Sequence, residues 1–133
     1  MNLLPAVVAL SAVLLAACAG SPAAMEHLSE AELWNAQPTS KCNAYHYSKS
    51  EKMRKALTER VDVYPENWPA VAAGQVKIGF TEVELICARG YPRKINESAS
   101  AAGVRKQWVY GGTDRYMPTE YFYTDGRHVT GWN

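Results

Sequence analysis

Three cysteines are the residues of this sequence with the clearest capacity for chemistry, and their positions suggest two different uses. Cys18 ends an apolar stretch, whereas Cys42 and Cys87 lie in the polar part of the chain. A cysteine can be acylated, can form a disulfide, or can bind a metal ion such as zinc. The surroundings of each cysteine therefore have to indicate which of these uses applies.

The N-terminal segment predicts export and lipidation. Residues 1–25 contain no charged side chain, and the run from Leu3 to Ala17 is almost entirely apolar. About 15 apolar residues are too few for a membrane span, which needs roughly 20, but they suit a signal peptide. Leu15-Ala16-Ala17-Cys18 resembles the lipobox of bacterial lipoproteins. We expect residues 1–17 to be a signal peptide and Cys18 to carry lipid, with an ordinary signal peptide cleaved elsewhere as the alternative.

The two remaining cysteines predict a disulfide. Exported proteins enter an oxidising compartment, where thiol pairs are oxidised. A Cys42–Cys87 bridge would close a loop of about 45 residues and stabilise the fold by roughly 4 kcal/mol. Zinc binding is the rival interpretation, because His46 follows Cys42 at a spacing of four, but further ligands at the usual spacings are absent. We expect the disulfide, and no metal or other cofactor.

Recognisable catalytic motifs are absent from the sequence. The sequence contains no Gly-x-Ser-x-Gly, His-Glu-x-x-His, phosphate loop or dinucleotide fingerprint. His27 and His128 are expected at the surface, near the tether and a turn. Glu82 and Glu84 would point to different sides of a helix, which makes them a poor carboxylate pair. We expect a protein without catalytic residues and without a small-molecule substrate.

The length of the chain indicates how many domains it can form, and its charge indicates which classes of partner it can bind. Removing 17 of the 133 residues leaves 116, which is enough for one domain. With a net charge of +1, the chain does not have the concentrated excess of basic residues that is typical of a nucleic-acid-binding protein. One basic cluster is explained by a solvated helix face or by contact with anionic lipid headgroups. Its members are Lys41, Lys49, Lys52, Arg54, Lys55 and Arg60.

The N-terminal half predicts short helices. Residues 18–28 are expected to be a lipidated cysteine with a flexible tether, and residues 29–133 a single domain. Ser29-Glu30-Ala31-Glu32 and Thr81-Glu82-Val83-Glu84 are capping boxes that open helices through Trp34 and over 82–89. Further helices are expected over 51–60, after a Ser48 or Ser50 cap, and over 69–73. Gly90 and Pro92 end the 82–89 helix.

The C-terminal half predicts strands. Candidate strands cover 94–98, 104–110, 120–124 and 127–132, and Asp125-Gly126 is a strong hairpin signal. Val104, Trp108 and Tyr110 alternate onto one face, opposite Arg105, Gln107 and Val109. The pattern predicts an α+β fold with N-terminal short helices packed on a C-terminal three- to four-stranded antiparallel meander sheet.

Several segments of the C-terminal half resemble a known family. They are Val76–Val83, Arg89-Gly90-Tyr91-Pro92, Gln107-Trp108-Val109-Tyr110 and Asp125-Gly126. In this order and spacing they are similar to the small protein A/OmlA (BamE-like) outer-membrane lipoproteins, over roughly residues 68–133. The resemblance implies a helix-then-sheet fold, placement in the outer membrane facing the periplasm, and a role in an envelope protein complex. Accessory subunits of outer-membrane barrel assembly belong to that family.

Aromatic residues on the predicted sheet are the candidates for partner binding. Phe122 points opposite to Tyr121 and Tyr123, so helices that cover one sheet face leave one aromatic set exposed. The alternative is that the N-terminal segment folds back, with Trp34 as a lid. We expect a membrane-anchored adaptor that binds an outer-membrane or periplasmic protein. A protein inhibitor of a secreted or periplasmic hydrolase, acting through Arg115–Thr119, is the second interpretation.

Overall fold

Side-chain caps set the starts of several helices in the computed structural model, which describes residues 21–133. Ser29 and Thr81 each form a complete capping box, and Ser50 accepts a hydrogen bond from the Met53 amide. The predicted caps and helices at these positions are confirmed. The helices are α1 (Pro22–Met25), α2 (Glu30–Asn35), α3 (Pro38–Ser48), α4 (Glu51–Glu59), α5 (Trp68–Ala72) after a 3-10 turn (Pro65–Asn67), and α6 (Glu82–Arg89).

Helix α3, like α1, is an element that the sequence patterns did not predict. It begins with Pro38 at its first turn and has no side-chain N-cap. Its buried residues are contiguous, from Lys41 to Tyr45, so no single apolar stripe marks it. Lys41 is fully buried and its ammonium contacts the Asp62 carboxylate at 2.7 Å. The expectation that the basic cluster is a solvated face or a lipid contact is therefore wrong for Lys41.

The predicted tether over 18–28 is also wrong for residues 22–28, which are part of the folded domain. Met25 of α1 is 1% exposed and belongs to the core cluster. The Glu26 carboxylate accepts a hydrogen bond from the Ser50 hydroxyl at 2.7 Å, and its carbonyl accepts one from Lys52. Leu28 packs against the core. Residues 18–20 and the predicted signal peptide lie outside the described residues.

Four strands of the described chain form an antiparallel meander in the order β1-β2-β3-β4. The strands are β1 (Lys94–Ser100), β2 (Gly103–Gly111), β3 (Thr119–Thr124) and β4 (Val129–Trp132). The predicted α+β fold is confirmed. The last turn covers residues 125–128, between the paired Thr124 and Val129, and is longer than the predicted two residues Asp125-Gly126. The Asp125 carboxylate accepts hydrogen bonds from the Arg127 and His128 amides within it. A register shift at Tyr123/Thr124 accompanies it.

One face of the sheet packs on the helices and is called the inner face here. Trp108, Tyr110 and Phe122 lie on it and belong to the core cluster. The Trp108 indole donates to the Thr124 hydroxyl at 3.0 Å, which donates to the Glu82 carboxylate on α6 at 2.8 Å. Lys106 contacts the same carboxylate at 3.2 Å. This polar chain fixes the start of α6 to the sheet.

The helical layer is joined by the predicted disulfide. Cys42 of α3 and Cys87 of α6 are bonded, and both are fully buried. Because the sulfur of Cys42 is used in this bond, the rival zinc interpretation loses its principal ligand. Gly90 ends α6 with a φ of +78°, and a Cβ there would lie 2.8 Å from Cδ2 of His46. Glycine is therefore required both by conformation and by the close approach of α3.

Candidate functional site

The face of the sheet opposite the helices contains two partly exposed tyrosines, and it is called the outer face here. Strand pairing places Asn96, Gln107 and Tyr123 in one row across it. A second row contains Lys94, Val109 and Tyr121. Tyr121 and Tyr123 are half-buried, so each presents part of its ring to solvent.

A chain of side-chain hydrogen bonds crosses β1, β2 and β3 on this face and ends at Asn133, which follows β4. The Asn96 amide donates to the Gln107 carbonyl oxygen at 2.9 Å, and the Gln107 amide donates to the Tyr123 hydroxyl at 3.2 Å. That hydroxyl donates in turn to the Asn133 side chain at 3.2 Å. Because its hydroxyl is held from both sides, the Tyr123 ring is fixed in position before any partner arrives.

An open groove lies at the end of the outer face nearest the β1–β2 and β3–β4 turns, with a volume of about 920 Å³. Its lining includes Asn96, Ser98, Arg105, Gln107, Tyr123 and Asp125. The backbone amides of His128 and then Arg127 donate to the Asp125 carboxylate and lower its pKa. The groove therefore contains the Tyr123 ring, which hydrogen bonds hold in position, and the side-chain amides of Asn96 and Gln107. Arg105 and the ionised Asp125 carboxylate supply charges of opposite sign in the same groove.

The structure separates the aromatic residues that the sequence grouped together. Tyr121 and Tyr123 form the outward set. Phe122 points inward, is 8% exposed, and packs edge-on against Tyr110 at 5.6 Å between ring centroids. Its expected role in partner binding is wrong, because its ring is enclosed by the core.

Trp34 is not a lid on the sheet. It lies on α2, which packs against α4, and its ring is 5.3 Å from the Arg60 guanidinium carbon. Arg60 also donates to the Trp34 carbonyl oxygen. The ring is 49% exposed on the helical side of the domain. Trp34 therefore does not share a site with the tyrosine pair, and the suggestion that it covers them is wrong.

No sequence motif marks the polar residues of the outer face, so they were not predicted to belong to a site. Asn96, Arg105 and Gln107 are ordinary exposed strand residues when they are read one at a time. Their common face follows from strand alternation, and the predicted strands already placed Arg105 and Gln107 opposite Trp108. Their connection to Tyr123 required the strand register, which sequence periodicity does not provide.

Two other reactive side chains, those of His46 and Glu84, are engaged in structural contacts. His46 donates through Nδ1 to the Ala88 carbonyl at 3.1 Å, and burial lowers the pKa of its imidazole. Glu84, fully buried, accepts hydrogen bonds from the amides of Tyr64 and Thr81 and from the Asn67 side chain. Within residues 21–133, no group of three or more histidine, cysteine, aspartate or glutamate side chains could hold a metal ion.

Most of the predicted basic cluster is also paired within the domain. Lys55 contacts Glu30 at 2.9 Å, and Lys52 donates to the Glu26 carbonyl. The Arg54 guanidinium lies 4.9 Å from the centre of the Trp68 ring. These contacts give the cluster a role in joining helices.

Among the helices of the described residues, none combines the length and apolar character needed to cross a membrane. No protein family model, curated protein or solved structure matches this chain.

Proposed function

We propose that this protein is a non-catalytic envelope lipoprotein, a distant relative of the small protein A/OmlA family, that acts as an adaptor in an outer-membrane protein complex. In this proposal Cys18 carries the lipid anchor, and the domain faces the periplasm. The partner is an outer-membrane or periplasmic protein bound at the outer sheet face. The observation that carries the proposal is the pair Tyr121 and Tyr123, partly exposed on the sheet face opposite to the one that packs on the helices.

The chemistry of the outer face fits a protein partner. Tyrosine rings bury a large apolar area at little cost in side-chain entropy, and they are frequent anchors of protein interfaces. Amides at Asn96 and Gln107 can donate and accept in the same row, which suits peptide groups. Arg105 and Asp125 at the groove supply charges of both signs, which favour one orientation of the bound surface.

An interaction assay with matched tyrosine variants tests the adaptor role. Tagged full-length protein is captured from detergent-solubilised envelopes, and the wild type is expected to retain a membrane protein complex. The double variant Tyr121→Ala/Tyr123→Ala should lose that complex while its melting temperature stays close to the wild-type value. Tyr64→Ala, which removes a 49% exposed tyrosine on the helical side, is the matched control and should retain it. Retention by the double variant would refute the proposed surface.

The inhibitor interpretation is supported by one specific loop. Between β2 and β3, the Asp114 carboxylate accepts hydrogen bonds from the amides of Tyr116 and Met117 at 2.7 and 3.0 Å. The Tyr116 side chain is 88% exposed at this held turn. An inhibitor would present such a ring to an enzyme cleft. Capture of a soluble hydrolase that is lost in Tyr116→Ala, and not in the Tyr121/Tyr123 variant, would favour this second function.

A further inference from the structure

Fewer residues separate the predicted lipid anchor from the folded domain than the sequence suggested. A tether over residues 18–28 would reach about 35 Å when extended. In the structure the domain already begins at α1, where Ser21 caps the helix through the Ala24 amide. Only three Cα–Cα steps separate Cys18 from Ser21, and they span at most about 10 Å.

Helix α1 is firmly attached to the rest of the domain, so the short distance cannot be extended by its release without breaking core contacts. Met25 is 1% exposed, and α1 packs along α3. The hydrogen bonds from Ser50 and Lys52 to Glu26 tie the other end of α1 to the start of α4. Because α1 is only four residues long, about 6 Å, Ser21 at its start also lies near the junction between α3 and α4, so the chain leaves the domain toward Cys18 close to that junction.

This junction exposes residues that suit a membrane–water interface. Tyr47 is 69% exposed in the last turn of α3. Lys49 directly follows α3, and Lys52 is the second residue of α4, both with exposed side chains. Tyrosine and lysine are favoured at headgroup depth, because each has an apolar stem and a polar end.

We propose that the domain rests directly on the phospholipid bilayer, with the α3–α4 junction and Tyr47 in the headgroup layer. This inference rests on the proposed lipidation of Cys18. It limits the adaptor role, because a domain of this size reaches only about 35 Å from the bilayer surface. The partner of the outer face is then a protein lying in that membrane or bound at its surface.

A depth measurement in vesicles tests the orientation. Full-length lipidated protein is reconstituted into vesicles of phosphatidylethanolamine and phosphatidylglycerol. An environment-sensitive fluorophore is attached through Tyr47→Cys or, as a matched control, through Ala101→Cys on the β1–β2 turn. A headgroup-attached spin label is expected to quench the fluorophore at position 47 and to leave the one at 101 nearly unchanged. Equal quenching at both positions, or none at 47, would overturn the inference.

Two further readouts separate this inference from the proposed anchor. Mass spectrometry of the N-terminal peptide reports whether Cys18 is acylated. An unmodified Cys18 overturns anchor and orientation together, whereas acylation without quenching at 47 overturns the orientation alone. A flexible insert of about 12 residues after Gly20, with an average reach of about 20 Å, should keep the protein on the vesicles but abolish the quenching. Quenching that persists in the insert variant would show that the short tether is not its cause.

Discussion

The ammonium of Lys41 lies 2.7 Å from the carboxylate of Asp62, and the lysine side chain is completely buried. This pair connects α3 to the turn that follows α4. The turn has the geometry of a helix stop, in which the Asp62 amide donates to the Leu57 carbonyl and the Val61 amide to the Thr58 carbonyl. The position of Asp62, and so the pairing of Lys41, depends on that turn.

Removing one partner of this ion pair should be far more harmful than removing both. Asp62→Ala leaves a buried ammonium without its counter-charge and should lower the free energy of unfolding by about 3–5 kcal/mol. The double variant Lys41→Met/Asp62→Ala should recover most of that loss, because no buried charge remains. Urea unfolding of the two single variants and the double variant gives the coupling. Strict additivity of the two single losses would show that the pair does not interact.

Val61 has a φ of +53°, a left-handed conformation that is unfavourable for a β-branched residue. Its side chain is 55% exposed, so little packing is lost when it is shortened. Val61→Gly should therefore raise the free energy of unfolding by about 0.5–1 kcal/mol. Val61→Ala keeps the Cβ and should gain less. Thermal unfolding of both variants checks the order, and a destabilised glycine variant would contradict it.

The disulfide should account for much of the stability of the domain. Cys42→Ser and Cys87→Ser should each lower the free energy of unfolding by about 4 kcal/mol, because the bond closes a long loop in the unfolded chain. The double variant should lose no more than either single one. Mass spectrometry of the non-reduced protein should identify the linked peptide. Two free thiols in protein freshly isolated from cells would refute the bridge in the cell.

Stability should depend on pH through His46. Burial holds the pKa of this imidazole below its ordinary value of 6.5 in the folded state. Below pH 6.5 the unfolded chain therefore binds a proton that the folded protein does not, and stability falls until the folded pKa is reached. Urea unfolding between pH 7.5 and pH 5 measures this fall. His46→Gln cannot titrate and should show a smaller fall, whereas an unchanged profile would assign the dependence to other groups.

The proposed anchor makes a prediction of its own in cells. Cys18→Ala removes the acylated thiol, so the protein should move from the membrane fraction to the soluble fraction of a cell extract. Fractionation followed by immunodetection of the wild type and the variant measures the change. Tyr64→Ala, an exposed substitution that leaves Cys18 and the disulfide in place, is the control and should remain with the membranes. A Cys18→Ala protein that still sediments with membranes would refute lipidation as the means of attachment.

Local signals in the sequence determined where several elements begin and which cysteines pair. The boxes at Ser29 and Thr81 and the cap at Ser50 act within one helical turn, so they are legible without any tertiary contact. Alternation along 104–110 and 120–124 likewise showed that Phe122 faces opposite to Tyr121 and Tyr123. With only two cysteines left after Cys18, a single intramolecular pairing was available.

Tertiary structure decided what those local signals left open. Helix α3 is buried on several sides, and Lys41 can lie inside it only because Asp62, 21 positions later, supplies the opposite charge. Likewise, α1 is ordered because α3 and Ser50 give Met25 and Glu26 partners, which shortened the expected tether. Because α6 packs on the face of the sheet that contains Phe122, Tyr121 and Tyr123 lie on the outer face. Such choices depend on contacts between distant segments, and one-dimensional periodicity does not contain them.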